Sequence, residues 1–233
     1  MPGATQIDLR RDVARLMSVP ARSPAQTRLR LAAGEMIGAE NLVQAAFSFR
    51  FIKLDSCRDG ELRAGGEMIF GPRLVPEQGE LTTLACGVAT IGNTLEHRVT
   101  ALFTERRPAL ALALDDLGNK LLFEVSRRLQ DRMLVHARKS QLTMAGELRA
   151  GDPGLDISYQ KAVVRLAGGE DIGVQATARF SLTPLKSTAM VMGAGIGLPP
   201  ANWSRCDDCP SMAKCKLVRP QDVTVPADQT GAR

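Results

Sequence analysis

Cys206, Cys209 and Cys215 fall in the stretch Arg205-Cys-Asp-Asp-Cys-Pro-Ser-Met-Ala-Lys-Cys-Lys216, a C-x2-C-x5-C spacing. Two thiolates separated by two residues can grip one metal from a single tight turn, and a third a few residues on closes a knuckle around it. Three cysteines suffice to hold a [4Fe–4S] cluster with one iron left open, whereas a structural zinc needs a fourth ligand. Cys57, Cys86, His97, His136 or Asp208 could supply that ligand by folding back. An iron–sulfur cluster is the first expectation and zinc the alternative, with free thiols as the third. The spacing does not separate the first two.

The rest of the chain offers less chemistry. Its two histidines, His97 and His136, sit among charged neighbours on predicted helices, with no nucleophile elbow nearby. Both read as surface residues. Asp115 and Asp116 are adjacent on a predicted helix and so point about 100° apart, which keeps them from clasping one ion. One is expected to be exposed and the other tucked against a neighbouring loop. Gly193-Ala-Gly-Ile-Gly197 has the glycines of a phosphate loop, but Leu198-Pro-Pro200 follows where a helix would have to begin. A strand exit fits better.

With 233 residues the chain can bury a sizeable core. Only 4% of it is aromatic, so Leu, Val, Ile, Ala and Met must fill that core. The net charge of +5 is a mild excess. Arg10, Arg11, Arg15, Arg22, Arg28 and Arg30 face only Asp8 and Asp12 in the first thirty residues, without interleaved aromatics. That pattern reads as solvated helix, not as a nucleic-acid surface. No apolar run approaches the ~20 residues of a membrane helix, and no signal-peptide core is visible. Five cysteines, an odd number, do not form a secreted disulfide framework. The expected compartment is the cytoplasm.

Periodicity supplies the scaffold. Helices are predicted over 8–17 and 24–46, parted by the prolines of 19–24. Phe47, Phe49 and Phe51 alternate on one face of a strand over 46–54. Asp59-Gly60 and Gly65-Gly66 bracket a hairpin region, and 81–91 reads as a buried strand. A helix over 95–105 follows. Pro108 opens the longest helix, to about 138, with Leu110, Leu114, Leu117, Leu121, Val125 and Leu129 recurring every three or four residues. A loop over 146–154, a short helix over 157–166 and strands near 171–182 and 188–196 complete the body. Mixed elements without β-α-β-α alternation predict an α+β domain with a largely antiparallel sheet and flanking helices. The domain is expected to cover 1–217 and end in the knuckle (205–216), with 218–233 as a disordered tail.

Several segments, in order, resemble the activation (reactivation) domain of cobalamin-dependent methionine synthase. Ala85-Cys-Gly-Val-Ala-Thr-Ile-Gly-Asn-Thr-Leu-Glu-His-Arg-Val99 is similar to its TIG…(D/E)…R passage from strand to helix. Ala109-Leu-Ala-Leu-Ala-Leu-Asp-Asp-Leu-Gly118, continuing through Glu124 and Arg132, resembles the ALxLDAIG…E segment of stand-alone members. Gly151-Asp-Pro-Gly-Leu-Asp156, Ile172-Gly-Val174 and Leu182-Thr-Pro-Leu-Lys-Ser187 follow the family's order of glycine loop, IGV strand and P-x-x-S strand. The terminal cysteine knuckle resembles the one that ends many small stand-alone relatives, and the likeness spans roughly 8–217.

The resemblance implies a C-shaped α+β domain with a twisted sheet, which binds S-adenosylmethionine and docks over cobalamin for its reductive methylation. Glu124, Arg149 and Gly154 would lie around the ligand. Cys206, Cys209 and Cys215 would hold a cluster that relays electrons or stiffens the docking surface. The family's R-x-x-x-G-Y loop is altered here to Arg149-Ala-Gly-Asp-Pro-Gly154-Leu155, one residue longer and with Leu in place of Tyr. Because the likeness takes up nearly the whole sequence, cobalamin is expected only through a partner. The implied role is an accessory protein of a split methionine synthase or related corrinoid methyltransferase system, in methionine biosynthesis. Its partners would be a cobalamin-binding protein, a methyltransferase subunit and an electron donor. The alternative is a metal-stabilised interaction protein without catalytic activity.

Overall fold

A computed structural model describes residues 3–19, 23–201 and 203. The chain runs from β1 (Thr5–Ile7) through α1 (Arg10–Ser18) and α2 (Pro24–Ala39) into the long strand β2 (Ala45–Arg58). The hairpin β3 (Glu61–Ala64) and β4 (Glu67–Phe70) leads to β5 (Glu80–Thr90), followed by α3 (Thr94–Thr104) and α4 (Pro108–Lys139). Next come β6 (Thr143–Leu148), α5 (Gln160–Leu166), the two-residue strands β7 (Gln175–Ala176) and β8 (Leu182–Thr183), and β9 (Ser187–Ile196).

Among the described residues, one seven-stranded antiparallel sheet has the order β4-β3-β2-β5-β9-β6, with β1 also paired to β2. The fold is α+β. β2 changes neighbour partway along: Ala46–Lys53 pair with β5, and Leu54–Arg58 pair with β3.

Because successive side chains of a strand point to opposite faces, each central strand feeds two cores. Phe47 and Phe49 of β2, Ala85 and Ala89 of β5, and Met190, Met192 and Ala194 of β9 pack toward the helices. There they meet Leu114, Leu117, Leu121, Val125, Leu129 and Met133 of α4, all within 1% of full burial. The opposite face carries Leu84, Cys86, Val88, Ala189 and Val191, covered by α5 and the β3–β4 hairpin. Burial on both faces explains why β5 and β9 read as nearly continuous apolar runs.

Several sequence expectations change. The second helix ends at Ala39, not 46, because Asn41 takes a left-handed turn (φ 49°) and Leu42 drops into the core before β2 begins. The strand expected near 171–182 is mostly something else. Gly168 (φ 74°) and Gly173 (φ 69°) bracket a 3-10 turn at Gly169–Ile172, and only β7 and β8 pair. The loop expected from 146 gives way to β6, which passes through Gly146 at positive φ and carries a bulge between Ala145 and Leu148. The expected short helix begins as a 3-10 turn at Ile157–Tyr159. The tail over 218–233 lies outside the described residues.

Candidate functional site

The loop after β6 is built from its own hydrogen bonds. The Arg149 amide donates to Asp152 Oδ2 at 2.8 Å, Asp152 N to the Arg149 carbonyl at 2.9 Å, and Gly151 N to the Leu155 carbonyl at 2.8 Å. Gly154 has φ 96°, and a Cβ there would lie 2.7 Å from Arg73 Cδ. The position therefore needs glycine both for its backbone and to let Arg73 lie across it. Arg73 Nη1 donates to the Pro153 carbonyl at 3.3 Å, and its guanidinium stands 5.5 Å from the centre of the Trp203 ring. Leu155, which stands where the resembled motif has a tyrosine, is 1% exposed in the second core. It is a packing residue that anchors the loop.

Arg149 turns from this loop into a cavity of about 350 Å³ between α4 and the start of β9. One wall is Asn119, Leu122, Phe123 and Ser126 of α4, and the other is Ser187 and Thr188. Asn119, Phe123 and Ser126 stand at i, i+4 and i+7, the spacing that puts side chains on one helical face. The guanidinium is braced: Nη2 donates to Ser126 Oγ at 3.3 Å and to Glu147 Oε1 at 3.2 Å, and Nε also reaches Glu147 Oε1. Gln130 Nε2 donates to the other Glu147 oxygen. Asn119 is itself held, because Lys186 Nζ donates to its Oδ1 and to Asp115 Oδ1, both at 2.6 Å. The cavity thus sets an arginine held in place by a carboxylate on the same wall line as an aromatic ring and the Asn119 amide.

Glu124 is placed elsewhere. Two residues from Ser126, it points about 200° away around the helix. Its Oε1 pairs with Arg15 of α1 at 2.8 Å and, more loosely, with Arg127 at 3.9 Å. Beside it Asp12 of α1, 6% exposed, takes Arg128 Nη2 at 2.6 Å. These ion pairs tie α1 to α4. The Arg149 side chain thus enters the α4–β9 cavity, whereas Gly154 lines a separate hollow with Phe70, Pro72 and Ile157, and Glu124 lies on another face of α4.

Asp115 and Asp116 diverge as their spacing requires. Asp115 is tucked onto Lys186, which precedes β9, and the more exposed Asp116 pairs with Lys120 at 2.6 Å. His97 is exposed, whereas His136 is half-buried, its ring 4.7 Å from Phe51 and 5.8 Å from Phe49. That half-burial corrects the surface reading of His136. Cys57 is exposed, and Cys86 is a core residue whose thiol burial pushes up to about 12. Cys206, Cys209 and Cys215 lie outside the described residues. Among the described residues, no group of three or more His, Cys, Asp or Glu side chains could hold a metal ion. No described helix is long and apolar enough to cross a membrane.

The sequence motifs included Ser187, as the serine of P-x-x-S, but not Asn119, Phe123, Ser126 or Thr188. The signal for Asn119, Phe123 and Ser126 is a polar-and-aromatic i, i+4, i+7 stripe, which the stronger leucine period of the same helix masks.

No protein-family model matches the chain, and no curated protein sequence matches it. Its fold does have a counterpart. A crystal structure of the MetH reactivation domain bound to AdoHcy superposes with a TM-score of 0.54. It covers 82% of this chain and 77% of that one, at 12% sequence identity. The chain has the fold of a reactivation domain.

Proposed function

We propose that this chain binds an S-adenosyl amino acid in the Arg149 cavity and supports reductive methylation of cobalamin carried by a separate protein. The observation that supports this most is the fold shared with a reactivation domain whose structure holds AdoHcy. The reaction class is balanced simply. One electron takes cob(II)alamin to cob(I)alamin, and the sulfonium methyl of S-adenosylmethionine then passes to cobalt, leaving AdoHcy. This chain's residues bind and orient. Arg149 N–H groups donate to the ligand carboxylate, a charge-assisted contact, while Ser126 and Glu147 fix the plane of the guanidinium. Thr188, on the α4 side of β9, offers its hydroxyl to the ribose, and Leu122 presents apolar surface that excludes water.

Losing a hydrogen bond to a charged group costs about 1.5–3 kcal/mol, so Arg149→Ala is expected to weaken AdoHcy binding roughly ten- to a hundredfold. Titration calorimetry of the two proteins measures this directly. AdoHcy binding that ignores the substitution would place the site elsewhere, and no binding to the unaltered chain would sink the ligand assignment.

On their spacing alone, Cys206, Cys209 and Cys215 are assigned to a metal, with an iron–sulfur cluster ahead of zinc. A cluster there would supply single electrons, and zinc would only brace the chain. Protein purified without oxygen is expected to contain iron and acid-labile sulfide, both lost in Cys209→Ala. Stoichiometric zinc would assign the knuckle a structural role, and metal-free protein would remove the assignment.

A further inference from the structure

The cavity also holds an aromatic ring, that of Phe123. Phe123 is 46% exposed, on a face of α4 otherwise carrying Asp116, Asn119 and Arg127. A single exposed phenylalanine is ordinary. This one lines a cavity, and both of its helical neighbours, Asn119 and Ser126, line the same cavity. Ser126 in turn accepts a hydrogen bond from Arg149. The ring therefore sits one helical turn from the residue that braces the arginine, about 4.5 Å along the axis, and Asn119 lies about 6 Å beyond it.

Resting on the ligand class proposed above, we propose that Phe123 is the platform on which the purine of the S-adenosyl ligand stacks. An S-adenosyl amino acid has a charged end and a planar base joined through sulfur and ribose. With its carboxylate at Arg149, the sulfur and ribose pass along Thr188, and the base is carried toward the middle of the α4 wall. There Phe123 offers a ring half open to solvent, which the base would cover. Aromatic side chains bind bases through their π-faces, with losses on truncation to alanine that are large and tolerant of base identity. Leu155 cannot serve this purpose, because it is sealed in the second core.

The test is titration of the full chain with AdoHcy, S-adenosylmethionine and adenosine, before and after Phe123→Ala and Phe123→Trp. Since the ring is half exposed and outside both cores, the thermal midpoint should barely move. The expected result is a loss of roughly tenfold or more for all three ligands in Phe123→Ala. In Phe123→Trp, affinity should be retained or improved. AdoHcy binding by the unaltered chain that survives Phe123→Ala unchanged overturns the platform while sparing the ligand reading. A loss confined to S-adenosylmethionine would also overturn it, assigning the ring to the sulfonium charge. Failure of the unaltered chain to bind any of the three would remove the ligand reading and the platform together.

Discussion

Gly195→Ala is expected to lower stability by about 3–5 kcal/mol, among the largest effects a single methyl can have. A Cβ at Gly195 would lie 1.9 Å from the Glu80 carbonyl oxygen, 2.9 Å from its carbon and 3.1 Å from Leu81 Cα. All three are backbone atoms, so no side chain can rotate aside. They belong to the bulge where β5 pairs Leu81 with Gly195 and Thr83 with Ala194, leaving Thr82 over. Relief would require opening this end of the β5–β9 ladder, which lies in the middle of the sheet. Gly87→Ala provides the comparison. Its Cβ would approach Met133 Sδ at 2.8 Å and Leu129 Cδ2 at 3.0 Å, both ends of flexible side chains. That substitution should cost about 1–3 kcal/mol, as overpacking does. Chemical denaturation of both variants measures the ordering, and a Gly195→Ala protein as stable as Gly87→Ala would mean the bulge yields freely.

Such contacts mark the limit of what the sequence makes legible. The Phe47-Phe49-Phe51 alternation and the leucine stripe of α4 carry their own periods, and both sit where those periods put them. The α+β class followed from them. Where apolar residues continued past a helix end, as at Leu42 and Val43, period alone extended α2 too far, since the left-handed turn at Asn41 carries no apolar signal. Ile172 and Val174 invited a strand, but glycines at both ends wound the segment into a 3-10 turn that buries Val174 and half-buries Ile172. β6 was hidden because its glycine and bulge resemble a loop on paper.

The site was legible in proportion to how local it is. Arg149 could be read from a contiguous motif, although Gly154 of the same motif lines a different hollow. Phe123 could not, because what makes it notable is Arg149, twenty-six positions later, and Ser187 and Thr188 further on. Glu124 shows the converse. Adjacent in sequence to Phe123, it faces α1 and pairs with Arg15, because neighbouring helical residues share no face. A motif thus identifies residues well and fails to say which of them meet.

On the proposed function, the largest functional effect is expected in the reactivation of a separate cobalamin-binding protein. A cobalamin-binding protein poised as cob(II)alamin, given a one-electron reductant and S-adenosylmethionine, should recover methyl transfer only when this chain is added. Because the cobalamin protein must also visit its methyl donor and acceptor, the complex should be transient, with a small or moderate interface and affinity in the micromolar range. Arg149→Ala should then separate binding from docking. If Arg149 only holds the ligand, recovery should fall roughly ten- to a hundredfold at low S-adenosylmethionine and return as the ligand is raised toward saturation. A deficit that persists at saturation would instead mean that the guanidinium acts on the transfer step or on the partner. Recovery that proceeds equally well without the chain would remove the reactivation role, and the fold would then serve some other ligand-binding task.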